Sequence, residues 1–257
     1  MKTGDLKNAM LSRVGRTAPR PLVVAIALVL VLGGVSETAL AAQNTAIIPA
    51  PFQEQRHEGF VEIARAGDID CLLMGDSITD WWARFAPELY AEHFGSRKCA
   101  NFGIAGDRTQ GVLWRMENGE LEGYSPKVMM LMIGTNNLSG RAERPANTPA
   151  EIVEGVTAIV TKFRTTFPDA RVLLLGIFPR GAEPDNRFRA PIAEINTALA
   201  ALDDGERVKF MDIGAAFLGP DGSIPEDVMG DGLHPTLKGY EIWAAQVMPT
   251  FIEMMGG

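Results

Sequence analysis

The sequence is predicted to fold as an α/β domain built on a five-stranded parallel sheet with helices on both faces. Two observations carry that prediction. Five short apolar runs alternate with segments of helical periodicity, a pattern that calls for right-handed crossovers returning each strand parallel to the last. The first three runs also stop abruptly at polar, glycine-rich stretches, as expected where the carboxyl ends of parallel strands border a ligand crevice.

The first 41 residues stand outside this alternation. Lys2, Lys7, Arg13, Arg16 and Arg20 precede the apolar run Leu22–Leu32, and Ala39-Leu40-Ala41 offers a small-x-small cleavage site. The pattern predicts a signal peptide over residues 1–41, cut after Ala41, and hence a secreted or periplasmic protein. A retained membrane anchor is disfavoured because the run is short of the about 20 residues a bilayer needs. No cysteine follows it to carry a lipid. Residues 42–52, rich in small side chains, read as a linker to a domain over 53–257. Without residues 1–41 the chain carries 19 Lys+Arg against 30 Asp+Glu, a net charge of −11. That excess argues against nucleic acid or an anionic membrane surface as a standing partner.

The elements follow in order. A helix is expected over Glu54–Ala66, the first strand over Ile69–Met74 and a helix over Trp82–Phe94. The second strand follows at Lys98–Phe102, a helix at Gln110–Asn118 and the third strand at Val128–Ile133. Thr148-Pro149-Ala150-Glu151 supplies an N-cap, a proline at the first helical position and a capping-box glutamate, so a helix begins there and runs to Phe167. The fourth strand, Val172–Gly176, a helix over Phe188–Leu202, the fifth strand, Val208–Ile213, and a last helix over Leu237–Met254 complete one domain. Cys71 and Cys99 are the only cysteines. Export permits a disulfide, but their places in neighbouring strands make bridging geometry demanding and argue for free thiols. They exclude a cysteine-rich zinc site.

The strand ends carry the chemistry. Gly75-Asp76-Ser77 follows the first run, Asn101-Phe102-Gly103-Ile104-Ala105-Gly106-Asp107 the second and Gly134-Thr135-Asn136-Asn137 the third; Asp231-Gly232-Leu233-His234-Pro235 lies near the C-terminus. Each piece alone is weak, and their order is specific. Together they resemble the four blocks of the SGNH hydrolases, the GDSL-type serine esterases and lipases, with GDSI in place of GDSL. NFGIAGDRTQGVLWRM, MIGTNN and LLLGIFPRG are most similar to the branch that contains the platelet-activating-factor acetylhydrolase catalytic subunits. The resemblance implies a flavodoxin-like three-layer sandwich, a Ser-His-Asp triad and ester hydrolysis without a cofactor or metal. It also raises the expectation of a homodimer.

Physical chemistry leads to the same residues. The Ser77 hydroxyl is a weak nucleophile without a base. Of His57, His93 and His234, only His234 has a carboxylate three residues earlier, Asp231, able to hold its Nδ1, and a following proline that biases its backbone toward extension. An oxyanion formed on attack would need donors. The Ser77 N–H, the Gly106 N–H and the Asn136 amide are the candidates, with Gly106 preferred to Gly103 because the family's second block places its glycine directly before the acid. Taken singly, each residue has an ordinary structural reading: a helix cap, a turn glycine, a loop-holding amide, a surface ion pair. Asp76 and Asp107 read as carboxylates that hold loop backbone, and His57 and His93 as surface or structural residues.

Trp81, Trp82, Leu138, Leu233 and the Phe178-Pro179-Arg180 stretch are candidates to line or rim the crevice, Trp82 being equally suited to the core. Short connections after the second and third strands, with no long apolar lid, favour a small acyl group. The expectation is an acetyl esterase of carbohydrate or polysaccharide esters. An esterase of short-acyl lipid or lysophospholipid is the alternative, and a noncatalytic carbohydrate-binding module on the same fold is disfavoured by the intact Ser77, Asp231 and His234. The G-x-S-x-G elbow of α/β-hydrolases is absent.

Overall fold

The apolar runs become strands buried on both faces. In the computed structural model, which describes residues 43–140 and 142–256, β1 (Cys71–Gly75), β2 (Cys99–Gly103), β3 (Val128–Met132), β4 (Arg171–Leu175) and β5 (Val208–Met211) form one all-parallel sheet in the order β2-β1-β3-β4-β5. Alternate side chains feed two cores. Leu72, Met74, Met129 and Leu131 face one, and Cys71, Leu73, Val128 and Met130 the other. This is the three-layer sandwich the sequence implies, and the signal-peptide segment falls outside the described residues.

Eight α-helices are described: α1 (Glu54–Ala66), α2 (Ser77–Asp80), α3 (Trp82–Phe85), α4 (Pro87–Phe94), α5 (Thr109–Glu117), α6 (Pro149–Thr166), α7 (Arg189–Leu199) and α8 (Leu237–Met255). The capping box at Thr148 forms as expected, with the Thr148 and Glu151 side chains each accepting from the other's backbone N–H. The single helix expected over Trp82–Phe94 is broken. Ala86 leaves helical geometry so that Pro87, which has no N–H to donate, can start α4 at its first position. A separate turn, α2, begins at Ser77 itself.

Two further expectations are corrected. Cys71 and Cys99 are disulfide-bonded, because the parallel register of β1 and β2 sets them directly opposite with Cα atoms 4.4 Å apart. The stretch read as a linker is docked on the domain. It carries a 3₁₀ turn, Thr45–Ile47, with Ala46 buried, and is held by bonds from Thr109 Oγ1 to the Ala46 carbonyl (2.8 Å), Asn147 Nδ2 to Thr45 Oγ1 (2.9 Å) and the Ala50 N–H to the Gln110 carbonyl (3.1 Å).

The strand order fixes where a site can form. The chain adds β2 to one side of β1 and then crosses to the other side for β3, so a crevice opens between the carboxyl ends of β1 and β3.

Candidate active site

Ser77 stands at that switch point because β1 ends in a residue that must be glycine. A β-carbon on Gly75 would lie 2.2 Å from Thr79 Oγ1 and 2.5 Å from the Met132 carbonyl oxygen. Only a glycine fits between the Thr79 side chain of α2 and the β3 backbone, and the chain turns directly from β1 into α2. Asp76 caps α2, its Oδ1 accepting the Ile78 N–H at 3.0 Å. Tyr240 of α8 donates to the Ile78 carbonyl at 2.8 Å and fixes the turn from below. Ser77 is then the first residue of α2, where a backbone N–H has no acceptor within the helix.

His234 reaches Ser77 from the loop before α8. Its Nε2 lies 2.9 Å from Ser77 Oγ, and its Nδ1 lies 2.6 Å from Asp231 Oδ2. Asp231 Oδ1 accepts the backbone N–H groups of Leu233 (2.9 Å) and His234 (2.7 Å), so the loop wraps its own carboxylate. Partial burial works against the charge on Asp231, but the bonds from the His234 backbone and ring and from Leu233 outweigh it and hold the carboxyl below its usual range. Trp81 packs against the imidazole, the ring centroids 4.4 Å apart and the planes tilted by 38°.

The connections after β2 and β3 carry the other candidate residues. Gly106 takes φ +82° in the turn closed by the Asp107 N–H on the Ile104 carbonyl. Asp80 holds this turn to α2 by accepting the Ala105 N–H at 3.1 Å. Asn136 donates one amide hydrogen to the Asp107 carbonyl at 3.0 Å, which orients the amide and leaves its second hydrogen to donate elsewhere. Next to it, buried Asn137 bonds the Thr109 N–H, Thr109 Oγ1, Gln110 Oε1 and Asn147 Oδ1, tying the connection after β3 to the start of α5. Gly106 and Asn136 border a crevice of about 350 Å³ that Phe52, Gln53, Ser139 and Arg144 also line.

The structure therefore brings together Ser77, Asp231 and His234, and sets Gly106 and Asn136 on one crevice wall. Among the expected rim residues, Trp81 is half-exposed against His234. Trp82 is fully buried with Trp243, Tyr240 and Phe94, because it faces inward from the far side of α3, and it cannot touch substrate. Phe178 and Pro179 are likewise buried, Phe178 against Phe217 and Trp243. Arg180 remains at the rim, donating to the Thr135 carbonyl and to Ser139 Oγ. Leu138 and Leu233 are half-buried, each packed against a different core. The connection after β3, residues 133–148, is longer than expected, and buried Arg108 clamps it through the Ser139, Arg144 and Pro145 carbonyls. The sequence reading missed Phe52, Gln53 and Arg144. Only the left-handed backbone of Gln53 marks them, and no sequence signal announces that.

The other two histidines are structural. His57 is buried, with Nδ1 3.0 Å from Glu120 Oε1 and Nε2 3.1 Å from the Asn118 carbonyl. His93 lies on α4, its carbonyl accepting from Arg97.

Comparison with known proteins bears on this geometry. The model of the GDSL-like lipase/acylhydrolase family matches residues 73–242. The chain is 38% identical over 186 residues to platelet-activating factor acetylhydrolase IB subunit alpha2 of Rattus norvegicus, covering 72% of this chain and 77% of that protein. Its fold is similar to a GDSL-like lipase from Bacteroides thetaiotaomicron, with TM-score 0.63, 19% identity and coverage of 78% and 97%. It is also similar to an acetylxylan esterase from Geobacillus stearothermophilus, with TM-score 0.57, 18% identity and coverage of 75% and 96%.

Proposed function

The chain belongs to the GDSL-like lipase/acylhydrolase family and is a carboxylic ester hydrolase, and from that premise we propose a serine esterase that removes short acyl groups, above all acetyl, from carbohydrate esters. The observation that carries this reading is the unbroken chain from Ser77 Oγ through His234 to Asp231, at 2.9 and 2.6 Å.

In this mechanism His234 Nε2 takes the Ser77 proton as Oγ attacks the carbonyl carbon. Asp231 stays ionised and steadies the imidazolium. The carbonyl oxygen becomes an oxyanion held by the N–H groups of Ser77 and Gly106 and the free hydrogen of the Asn136 amide, each such donor being worth about 3 kcal/mol. Collapse breaks the bond to the alcohol oxygen, to which His234 returns the proton. A water, deprotonated by His234 in turn, releases the acid and restores Ser77.

Acetyl is favoured as the acyl group because the alpha2 relative and the Geobacillus neighbour, though differing in their alcohols, are both named for acetyl esters. The second reading, a short-acyl lipid ester, is favoured by the 38% identity to the alpha2 subunit. Export through residues 1–41 is part of the proposal, and a mature N-terminus at Ala42 in mass spectrometry of the secreted or periplasmic fraction would test it. For substrate, the purified protein is compared by kcat/KM on acetylated xylooligosaccharides, acyl esters of increasing length and an acetylated phospholipid. Preference for the sugar acetates supports the first reading, and preference for the lipid ester replaces it with the second. Loss of all turnover in Ser77→Ala is expected, and retained turnover would overturn the serine mechanism.

A further inference from the structure

We infer that the N-terminal arm, residues 43–53, is a wall of the active site, and that Phe52 and Gln53 form the subsite for the hydroxyl-rich alcohol of the ester. The inference rests on the proposed roles of Gly106 and Asn136 and goes beyond the matched family region, which begins only at residue 73.

Four observations place the arm there. A β-carbon on Gly106 would stand 3.5 Å from Phe52 Cζ, so the ring lies over the turn that carries this oxyanion donor. The arm is bonded into the polar layer beside Asn136: Asn147 Nδ2 donates to Thr45 Oγ1, while Asn147 Oδ1 accepts from Asn137. Arg144, from the connection after β3, stacks its guanidinium 4.5 Å above the Phe52 ring and joins the arm to the facing wall. Finally, Gln53 is held at φ +53°, ψ +50°, a left-handed conformation unfavourable for a residue with a β-carbon, and its carbonyl accepts the N–H groups of Arg56 and His57. Backbone held in such a state by its surroundings concentrates at functional sites. Here it turns the chain sharply from the crevice rim into α1.

The lining argues which part of the substrate the subsite takes. The Phe52 ring shares the crevice with polar Gln53, Asn136 and Ser139 and with Arg144, whose guanidinium stacks on it. An aliphatic acyl chain laid across these groups would strip their water and return no hydrogen bonds. A sugar ring can set its hydroxyls on these polar groups and its C–H groups against the part of the Phe52 ring that Arg144 leaves uncovered.

The test compares kcat/KM on ethyl acetate, whose alcohol is too small to reach the arm, with that on monoacetylated xylobiose. Phe52→Ala is expected to lose about tenfold on the sugar ester, mainly through KM, while ethyl acetate stays within about twofold; Phe52→Tyr restores the sugar ester. Gln53→Ala, which removes a side chain that caps nothing, gives the same split if Phe52→Ala does not fold. Equal losses on both esters, or none on the sugar ester, would overturn the subsite alone. A wild-type protein that cleaves ethyl acetate and ignores the sugar ester would instead overturn the carbohydrate reading on which the subsite rests.

Discussion

Two histidine–carboxylate pairs occur among the described residues, and they are placed for opposite ends. His234 and Asp231 meet at 2.6 Å on the rim; His57 and Glu120 meet at 3.0 Å in the interior. The difference lies at the far ring nitrogen. For His234 it faces a serine hydroxyl that can give up a proton, whereas for His57 it faces a backbone carbonyl that has none to give. Around His57 the carboxylate is committed elsewhere too. Glu120 pairs with fully buried Arg115, which also holds Asp107 at 3.0 Å. A histidine beside an acid is thus reactive only where its second nitrogen meets a transferable proton and the loop is open to substrate. With every nitrogen and oxygen spoken for, the same pair is a structural clasp.

The largest expected effect breaks the rim pair. Asp231→Asn should leave the fold intact, since an amide oxygen can still accept the Leu233 and His234 N–H groups, yet lower kcat by about 10⁴-fold through loss of the charge that fixes the tautomer. That corresponds to roughly 5.5 kcal/mol of barrier. A loss below tenfold would mean that Asp231 only shapes its loop. Breaking the interior pair should do the reverse. Glu120→Gln removes one of two carboxylates from buried Arg115 and is expected to cost about 3–5 kcal/mol of stability, read by denaturant unfolding, with kcat of the folded fraction changed less than about threefold. A large fall in kcat at unchanged stability would show that the clasp acts on the site.

Asn136→Ala tests the wall between the two regions. It should reduce kcat by about 100-fold with KM little altered, roughly 3 kcal/mol, because the amide's second hydrogen is engaged only when the oxyanion forms. Its first hydrogen, on the Asp107 carbonyl, adds a modest stability loss of about 1 kcal/mol. An unaltered kcat would remove Asn136 from the hole.

What the sequence disclosed follows from how local each signal is. The sheet was legible because five continuous apolar runs can be buried only between two helical layers. Ser77 and Asn136 stood out as polar residues just past apolar runs, Gly106 through the resemblance to the family's second block, and His234 through the carboxylate three residues before it; of these the structure brings Ser77, His234 and Asp231 into hydrogen-bond reach. The break at Ala86 could have been anticipated from Pro87. The burial of Trp82 could not, since Trp81 and Trp82 are neighbours in sequence and only the angle of α3 decides which of them faces Trp243 and which His234. The disulfide depended on register: a slip of one residue would have turned Cys71 and Cys99 to opposite faces. The arm escaped because its anchors, Thr109 and Asn147, are far along the chain and its small residues carry no periodicity.

Asp76 lies between the rim and the clasp, and supplies the smallest and most specific of the predictions. Its Oδ1 caps α2, whereas its buried Oδ2 has no hydrogen-bond partner among the described residues. Burial pushes its pKa up to about 7; the Ile78 N–H opposes this, and the charge of Asp107 adds to it. Unfolded, the same carboxyl ionises near 3.8. Between those values the folded chain binds the extra proton, so the contribution of Asp76 to stability is fully present below the lower value and is lost as pH rises toward 7. Asp76→Asn keeps the cap acceptor and cannot ionise. Relative to wild type it should therefore gain stability from pH 5 to pH 8, by about 3 kcal/mol, with no further gain above. Parallel stability profiles for the two proteins across that range would show that Asp76 is charged in the fold, and that a buried carboxylate beside Ser77 is held by Arg180 rather than by a proton.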